Sequence, residues 1–350
     1  DQMINLNGTH SIDKFIDKAL YNKKFGYYLK NNPFGKKGDF ITAPIITPLF
    51  SEMIAVWIIS FWIKLGKPKK FSFVELGPGN GAFCKTFCRT LNSFPEFKNS
   101  VKIYLLEKSE KLIKIQKSLI KDKNVYWIKS LNQINSGPIL FFGNEFFDSI
   151  PIKQFKFNKF NVYEKFIQFE KGKFKKFIYK KTSKLNIKKL NDLNLLKKKG
   201  IIEYPQKGLQ ILKLIINKIN KFKGGIMLID YGYIKSEGGD TLQSIMSQKK
   251  NIYYKNVGKS DITYLVNFQL LNKFFSKNNL FLNKIVDQSF FLKKLGISER
   301  AEILSKNMNF KEKSDLYYRL ERLLSDEKMG KLFKVLFASN YKSKFNLGFK

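Results

Sequence analysis

From Val74 to Gly81 the chain reads Val-Glu-Leu-Gly-Pro-Gly-Asn-Gly, placing glycines at 77, 79 and 81 behind an acid, Glu75. Glycines at this spacing let a backbone turn sharply and come close to a ligand, because no Cβ stands in the way. A dinucleotide-binding loop would read G-x-G-x-x-G, with a helix N-terminus facing a pyrophosphate. This loop is G-x-G-x-G behind a carboxylate, which disfavours a diphosphate and suits a ligand that carries positive charge. S-adenosylmethionine has that chemistry: an ammonium, a carboxylate and a sulfonium, and no phosphate. Glu107, thirty residues after Gly77, is an acid where nucleoside-binding α/β folds hydrogen-bond the ribose hydroxyls. A structural turn at the glycines and a solvated acid at Glu107 are the competing readings.

A second candidate string is Asn144-Glu-Phe-Phe-Asp-Ser-Ile-Pro151. Two carboxylates and an amide, Glu145, Asp148 and Asn144, follow an apolar run there. In open α/β sheets ligands bind beyond the carboxyl ends of strands, near the point where strand order reverses. Carboxylates at that rim can orient a nucleophilic nitrogen, hold a guanidinium or accept its proton. An N-capping Asp148 in a plain turn is the alternative. His10 is the only histidine, and Cys84 and Cys88 are the only cysteines. These residues build neither a zinc site nor a disulfide framework, so no metal is expected.

The elements that must position these groups follow from the apolar spacing. Helical spacing at Ile12, Phe15, Ile16, Ala19 and Leu20 predicts a first helix, with Ser11 as its N-cap. A second helix is expected over Leu49–Leu65, after a Gly- and Pro-rich loop from Asn31 to Pro48. From Phe71 short apolar runs alternate with periodic segments, as in βα units. Strands are expected at Phe71–Leu76, Lys102–Glu107, Val125–Ile128 and Pro138–Gly143, with helices at Ala82–Leu91 and Ser109–Ile120. Lys156–Lys199 breaks this rhythm and reads as an inserted β hairpin or small sheet followed by a mobile loop. A helix near Gly208–Phe222, a strand at Gly225–Asp230 and a last strand at Lys331–Phe337 complete the core. Ser260 is expected to cap a helix over Asp261–Phe275. The fold class is therefore α/β, a doubly wound sheet with an N-terminal helical cap over 1–70. The main domain spans 71–350, with an insertion at about 156–205.

The 350 residues carry 65 Lys and Arg against 28 Asp and Glu, a net charge of +37. Such an excess raises nucleic acid or an anionic membrane as partners. Arginine occurs only at 89, 300, 319 and 322, however, and the chain is heavy in Asn, Ile, Phe and Tyr. These share A/T-rich codons with Lys, so genome bias accounts for most of the charge and makes nucleic acid an unfavoured partner. The most apolar window, Ile54–Ile63, is too short to span a bilayer. The polar N-terminus does not read as a signal peptide. A reducing compartment is expected: the bacterial cytoplasm, or alternatively the mitochondrial matrix.

Strings along nearly the whole chain resemble the MidA family of methyltransferases, whose mitochondrial members serve in complex I assembly. They include Phe25-Gly-Tyr-Tyr28, Gly35-Lys-Lys-Gly-Asp-Phe-Ile-Thr-Ala-Pro44, Glu75-Leu-Gly-Pro-Gly79 and Leu106-Glu-Lys-Ser109. Asn144-Glu-Phe-Phe-Asp148, Asp230-Tyr-Gly232, Gly239-Asp-Thr-Leu-Gln243, Ser260-Asp-Ile-Thr263 and Met329-Gly-Lys-Leu-Phe-Lys-Val335 continue the match. The resemblance implies a class I methyltransferase fold, S-adenosyl-L-methionine as cofactor, and methylation of a protein arginine, on a complex I subunit in the mitochondrial members. It also implies that Gly38, Asp39, Thr42 and Pro44 form a loop over the cofactor and substrate pocket. The chain departs from the family pattern at Ile45, Ser51 and Ser289, where Glu, Gly and Gly are usual.

On this reading Glu75, Gly77, Gly79, Gly81 and Glu107 hold the cofactor, joined by the loop residues, while Glu145, Asp148 and Asn144 serve the substrate. Two rivals stay open. An RNA methyltransferase is favoured by the lysine excess, although no RNA-binding module stands out. A non-catalytic assembly chaperone on the same scaffold would show a damaged glycine loop or a lost ribose acid, and both are intact. The oligomeric state is open, a homodimer included.

Overall fold

The computed structural model describes residues 6–30, 42–158, 160–196, 200–235, 239–246, 249–342 and 345–350. Strand β1 (Gly8–Ser11) leads into α1 (Ile12–Tyr21), and short helices α2 (Tyr27–Lys30) and α3 (Ala43–Ile46) precede the long α4 (Pro48–Lys64). A βα alternation follows: β2 (Phe71–Leu76), α5 (Ala82–Leu91), α6 (Pro95–Ser100), β3 (Val101–Leu106), α7 (Glu110–Leu119), β4 (Val125–Ile128) and β5 (Ile139–Asn144). Next come β6 (Lys153–Phe157), β7 (Val162–Glu170), β8 (Lys173–Lys181), α8 (Lys184–Asp192) and β9 (Gly200–Tyr204). Then α9 (Gln206–Phe222) and β10 (Gly224–Tyr233) precede β11 (Gln243–Met246), β12 (Lys249–Asn251), β13 (Asp261–Thr263) and β14 (Val266–Asn267). The chain closes with α10 (Phe268–Lys277), β15 (Phe281–Leu282), β16 (Val286–Asp287), α11 (Gln288–Lys294), α12 (Ile297–Ser305), α13 (Phe310–Leu324), α14 (Met329–Leu332) and β17 (Phe333–Ser339). No helix among the described residues is long and apolar enough to cross a membrane.

The chain divides into two compact units. One comprises 41–146, 214–232 and 275–350; the other comprises 1–40, 147–213 and 233–274. This partition runs differently from boundaries at 70, 156 and 205. It groups α4 with the sheet that follows it, and it groups the amino-terminal strand with the segment after β5.

The first unit carries a sheet in the order β15-β17-β10-β5-β2-β3-β4. Its strands from β4 to β10 are parallel, and β17 runs antiparallel to β10. Every residue of β2 is buried, as expected of a central parallel strand covered on both faces. Strand order reverses at β2: β3 and β4 lie to one side, β5 and β10 to the other. Helix α5 is held to the sheet by aromatic packing, with ring centroids 4.7 Å apart for Phe73–Phe87 and 4.6 Å for Phe83–Phe142. Truncating a buried Phe of this kind costs about 3–5 kcal/mol. Helix α4 begins where Thr47 Oγ1 accepts from Leu49 N at 3.3 Å, with Pro48 in its first turn.

The second unit is built on antiparallel strands. β7 pairs with β8 along one side and with β1 and β6 along the other, and β6 pairs with β9. β11 pairs with β12 and β13. Inside this unit the Gln154 amide donates to Glu203 Oε1 at 3.0 Å, and the buried Lys165 ammonium donates to Gln154 Oε1 at 3.0 Å. Thr241 donates to Glu203 through its backbone N–H at 2.9 Å and its hydroxyl at 2.5 Å.

Three local expectations are corrected. Asp261–Phe275 does not form one helix: Asp261–Thr263 is a strand, and α10 starts at Phe268, where Asn267 Oδ1 accepts from Leu270 N at 3.0 Å. Ser260 caps nothing there; its hydroxyl accepts from Asn251 Nδ2 at 3.0 Å. The β-branched and aromatic Ile262, Thr263, Tyr264 and Val266 favour the extended form. The expected mobile loop after the hairpin contains α8, capped by Ser183 Oγ accepting from Asn186 N at 3.3 Å and anchored by the buried Leu190. Finally, the last strand starts at Phe333, because residues Met329–Leu332 turn as α14.

Candidate active site

The glycine loop connects β2 to α5 at the point where strand order reverses, the position at which open α/β sheets bind ligands. Gly77, Gly79 and Gly81 have φ of 62°, 56° and 85°, in the left-handed region that side chains disfavour. Space is also short at both ends of the loop. A Cβ on Gly77 would lie 3.1 Å from the Phe146 ring, and one on Gly81 would lie 3.1 Å from Ile120 Cδ1.

Gln116 on α7, fully buried, ties the loop to its surroundings. Its Nε2 donates to Gly79 O at 2.7 Å and to Glu107 Oε2 at 3.4 Å, and its Oε1 accepts from Trp127 Nε1 at 2.9 Å. Neither Gln116 nor Trp127 was singled out from the sequence. The available signal was a polar residue on the apolar face marked by Leu112 and Ile113.

Glu75 is the penultimate residue of β2 and is 5% exposed. Its Oε2 is enclosed with no hydrogen-bond partner among the described residues. Burial, reinforced by the charge of Glu107, pushes its carboxyl up to about 8. Glu107 follows β3. Its Oε1 accepts from Lys108 N at 2.7 Å and Ser109 N at 2.8 Å. Burial raises its pKa, opposed by these hydrogen bonds. An enclosed carboxylate oxygen without a donor, beside a second acid, is chemistry that a cationic ligand completes and a diphosphate would worsen. The residues present therefore fit S-adenosyl-L-methionine. Among the described residues no cluster of His, Cys, Asp or Glu could hold a metal ion.

At the carboxyl end of β5, Glu145 N donates to Ile229 O at 2.9 Å, so the backbone stays in the sheet one residue past the strand. Glu145 then takes φ 50°, uncommon for a residue with a side chain and the kind of strain that collects at functional sites. The Asn144 amide donates to Glu145 Oε1 at 3.3 Å, and Asn144 Oδ1 is enclosed without a partner among the described residues. Asn144 and Glu145 thus close a strand of the first unit. Asp148, 6% exposed, belongs to the second. There Tyr264 Oη donates to Phe147 O at 2.8 Å and Tyr21 Oη donates to Ser149 O at 3.0 Å, pinning the loop on either side of Asp148.

Thr42 is the N-cap residue of α3, without a side-chain cap bond, and Pro44 lies in that helix's first turn. Helix α3 packs against α4 and α5. Gly38 and Asp39 lie outside the described residues. Of the departures from the family pattern, Ile45 sits in α3, while Ser51 and Ser289 are buried in α4 and α11.

The family model described as "Putative S-adenosyl-L-methionine-dependent methyltransferase" matches residues 53–285. Protein arginine methyltransferase NDUFAF7, mitochondrial, from Xenopus tropicalis is 26% identical over 95% of this chain and 82% of its own length. The mitochondrial NDUFAF7 homolog of Caenorhabditis elegans is 29% identical over 95% of this chain and 83% of its own. In fold, the chain resembles a Burkholderia thailandensis protein crystallised with S-adenosyl-homocysteine. The TM-score is 0.80 at 19% identity, covering 98% of this chain and 89% of that one. With two thirds of its length matched by the family model, around a loop whose chemistry fits the cofactor, the chain belongs to the S-adenosyl-L-methionine-dependent methyltransferases and has their Rossmann-like fold.

Proposed function

We propose that this methyltransferase N-methylates an arginine side chain of a protein, and that the carboxylates after β5 hold the guanidinium. The observation that carries this reading is Glu145: a carboxylate at φ 50° on the strand end beside the point of reversed order. The names of the relatives, protein arginine methyltransferases, support the same substrate class.

When bound, S-adenosyl-L-methionine supplies an electrophilic methyl group on its sulfonium. Glu75 receives the ligand's ammonium and Glu107 the ribose hydroxyls. Gly77, Gly79 and Gly81 keep the backbone close, and the family resemblance adds Gly38, Asp39, Thr42 and Pro44 as cofactor-binding residues. Glu145 and Asp148, with Asn144 orienting Glu145, hold the guanidinium through charge-assisted hydrogen bonds, roughly twice as strong as neutral ones. The guanidinium loses a proton when it gains a methyl group, and a carboxylate at this place can accept it. Transfer of this kind depends mainly on alignment, so the lack of a histidine base is no obstacle.

The resemblance to MidA carries the substrate further, to a subunit of respiratory complex I. The compartment that goes with this reading is the bacterial cytoplasm or, since the relatives are named mitochondrial, the mitochondrial matrix.

The test is calorimetry with S-adenosylhomocysteine, followed by methyl-label transfer to complex I subunits and, in parallel, to RNA. Label on an arginine of a protein is the expected result. Label appearing only on RNA would sink the proposal.

A further inference from the structure

Between Lys171 and Asp192 the chain has nine lysines and one acid, Asp192 itself, against 65 basic and 28 acidic residues overall. A genome-wide lysine bias raises the first number but does not strip one sheet edge of acids. Nor does it explain which apolar side chains are left outside. In the same unit Phe160, at the tip between β6 and β7, is 88% exposed, and Leu185, in the first turn of α8, is 61% exposed.

The backbone brings these two together at one end of the sheet. Asn158 Oδ1 accepts from Phe160 N at 3.3 Å and Asn161 N at 2.9 Å, fixing the tip. Thr182 N donates to Val162 O at 3.0 Å, joining the start of β7 to the residues that open α8. Strand register sets Lys156, Tyr163 and Lys181 side by side across β6, β7 and β8, while Lys180 points to the other face of the sheet, over the Phe166 ring at 5.1 Å. Lys156, Lys180, Lys181 and Lys184 are all exposed.

Exposed apolar side chains and exposed lysines at one end of a sheet are the composition of an interfacial binding surface. The apolar side chains enter the headgroup and acyl boundary while the lysines meet lipid phosphates. A single-stranded nucleic acid would instead need free aromatic faces for its bases. Phe160 offers one such face, but Leu185 offers none and the Tyr179 ring already has the Lys156 ammonium over it at 5.4 Å, so successive bases would not be served. We infer that this end of the second unit docks peripherally on an anionic phospholipid surface. Phe160 and Leu185 enter the interface, and Lys156, Lys181 and Lys184 meet the headgroups. The inference is independent of the methylated substrate.

The full chain is tested by co-sedimentation with phosphatidylcholine vesicles, with and without phosphatidylserine, at physiological salt. Binding is expected only with the anionic lipid. Phe160→Asn with Leu185→Asn keeps the charge and should weaken binding on the order of tenfold. Each lysine changed to glutamate at 156, 181 or 184 should cost about fivefold or more. Equal replacements at the exposed Lys102, Lys117 and Lys121 of the first unit should cost far less. A Phe160→Trp variant should shift its emission to the blue on vesicles. Unchanged binding in the Phe160/Leu185 double variant would overturn the inference, because attraction by net charge would then suffice. So would tighter binding to single-stranded RNA than to the vesicles. Unchanged S-adenosylhomocysteine binding certifies the fold of each variant.

Discussion

Two buried glutamates in this protein are equally short of water and differently served. Glu203, 6% exposed in the second unit, collects hydrogen bonds from Gln154 Nε2, Thr241 N and Thr241 Oγ1. Glu75, 5% exposed in the first, keeps an enclosed oxygen with no donor among the described residues and a second acid, Glu107, close enough to raise its pKa. Burial pushes both carboxyls up, to about 7 for Glu203 and about 8 for Glu75. A folded chain tolerates an unanswered buried carboxyl, at a cost of a few kcal/mol, when something outside the chain answers it. The contrast separates a polar network that the protein completes for itself from one that, on the proposed reading, a cationic ligand completes.

The largest effect that would sharpen this contrast lies past the end of β5, the strand paired with the one that carries Glu75. Glu145→Gln keeps the shape and removes the charge, so methyl transfer at saturating cofactor should fall on the order of 10²-fold or more. Cofactor affinity should persist. Loss of affinity with normal transfer once saturated would move this loop from the substrate to the cofactor.

Glu75→Gln comes next. Losing a buried charge-assisted bond to an ammonium should weaken S-adenosylhomocysteine by about 10- to 100-fold in calorimetry. The ligand-free protein, relieved of its buried carboxyl, should become more stable by roughly 2–3 kcal/mol at neutral pH. The comparison breaks if Glu75→Gln destabilises the free protein and binds ligand normally.

Glu203→Gln should do the opposite. Three donors converge on this carboxyl, and an amide would turn N–H groups toward some of them. Denaturant unfolding should show a loss of about 1–3 kcal/mol, with cofactor affinity unchanged.

The smallest effect is on pH dependence. Both folded-state values lie above that of an unfolded glutamate, so the folded protein binds more protons between about pH 5 and 8. Stability is therefore full below the unfolded value and is lost as pH rises through the folded ones. The melting temperature of the ligand-free protein should fall by several degrees across this window. Glu75→Gln should remove the portion nearest pH 8. Saturating S-adenosylhomocysteine should remove the same portion, with release of up to about one proton per ligand, measurable in buffers of different ionisation enthalpy.

Much of the nucleotide-fold half was readable from local pattern alone. β2, α5 and β4 fall at the residues where apolar spacing put them, and β3 and β5 begin within one residue of expectation. These are strongly patterned strands and helices whose cores face both sides of one parallel sheet. The second unit was less readable because its partners are distant in sequence. Gly8–Ser11 is a strand only because it pairs with Phe166–Phe169, and four residues carry no periodicity of their own. Asp261–Thr263 was misread because an acid after a serine imitates a helix start, while pairing with Gln243–Ile245 draws it into a strand.

The amino-acid sequence by itself determined the glycine loop, the two acids that flank it and the family, since these depend on residue types at short, fixed spacing. Tertiary structure decided the rest. It set Gln116 between Gly79, Glu107 and Trp127, bent Glu145 to φ 50°, and left one oxygen of Glu75 enclosed without a donor among the described residues. Burial, strain and unanswered polarity are properties of what packs around a residue, and the neighbours that create them here come from strands and helices distant along the chain.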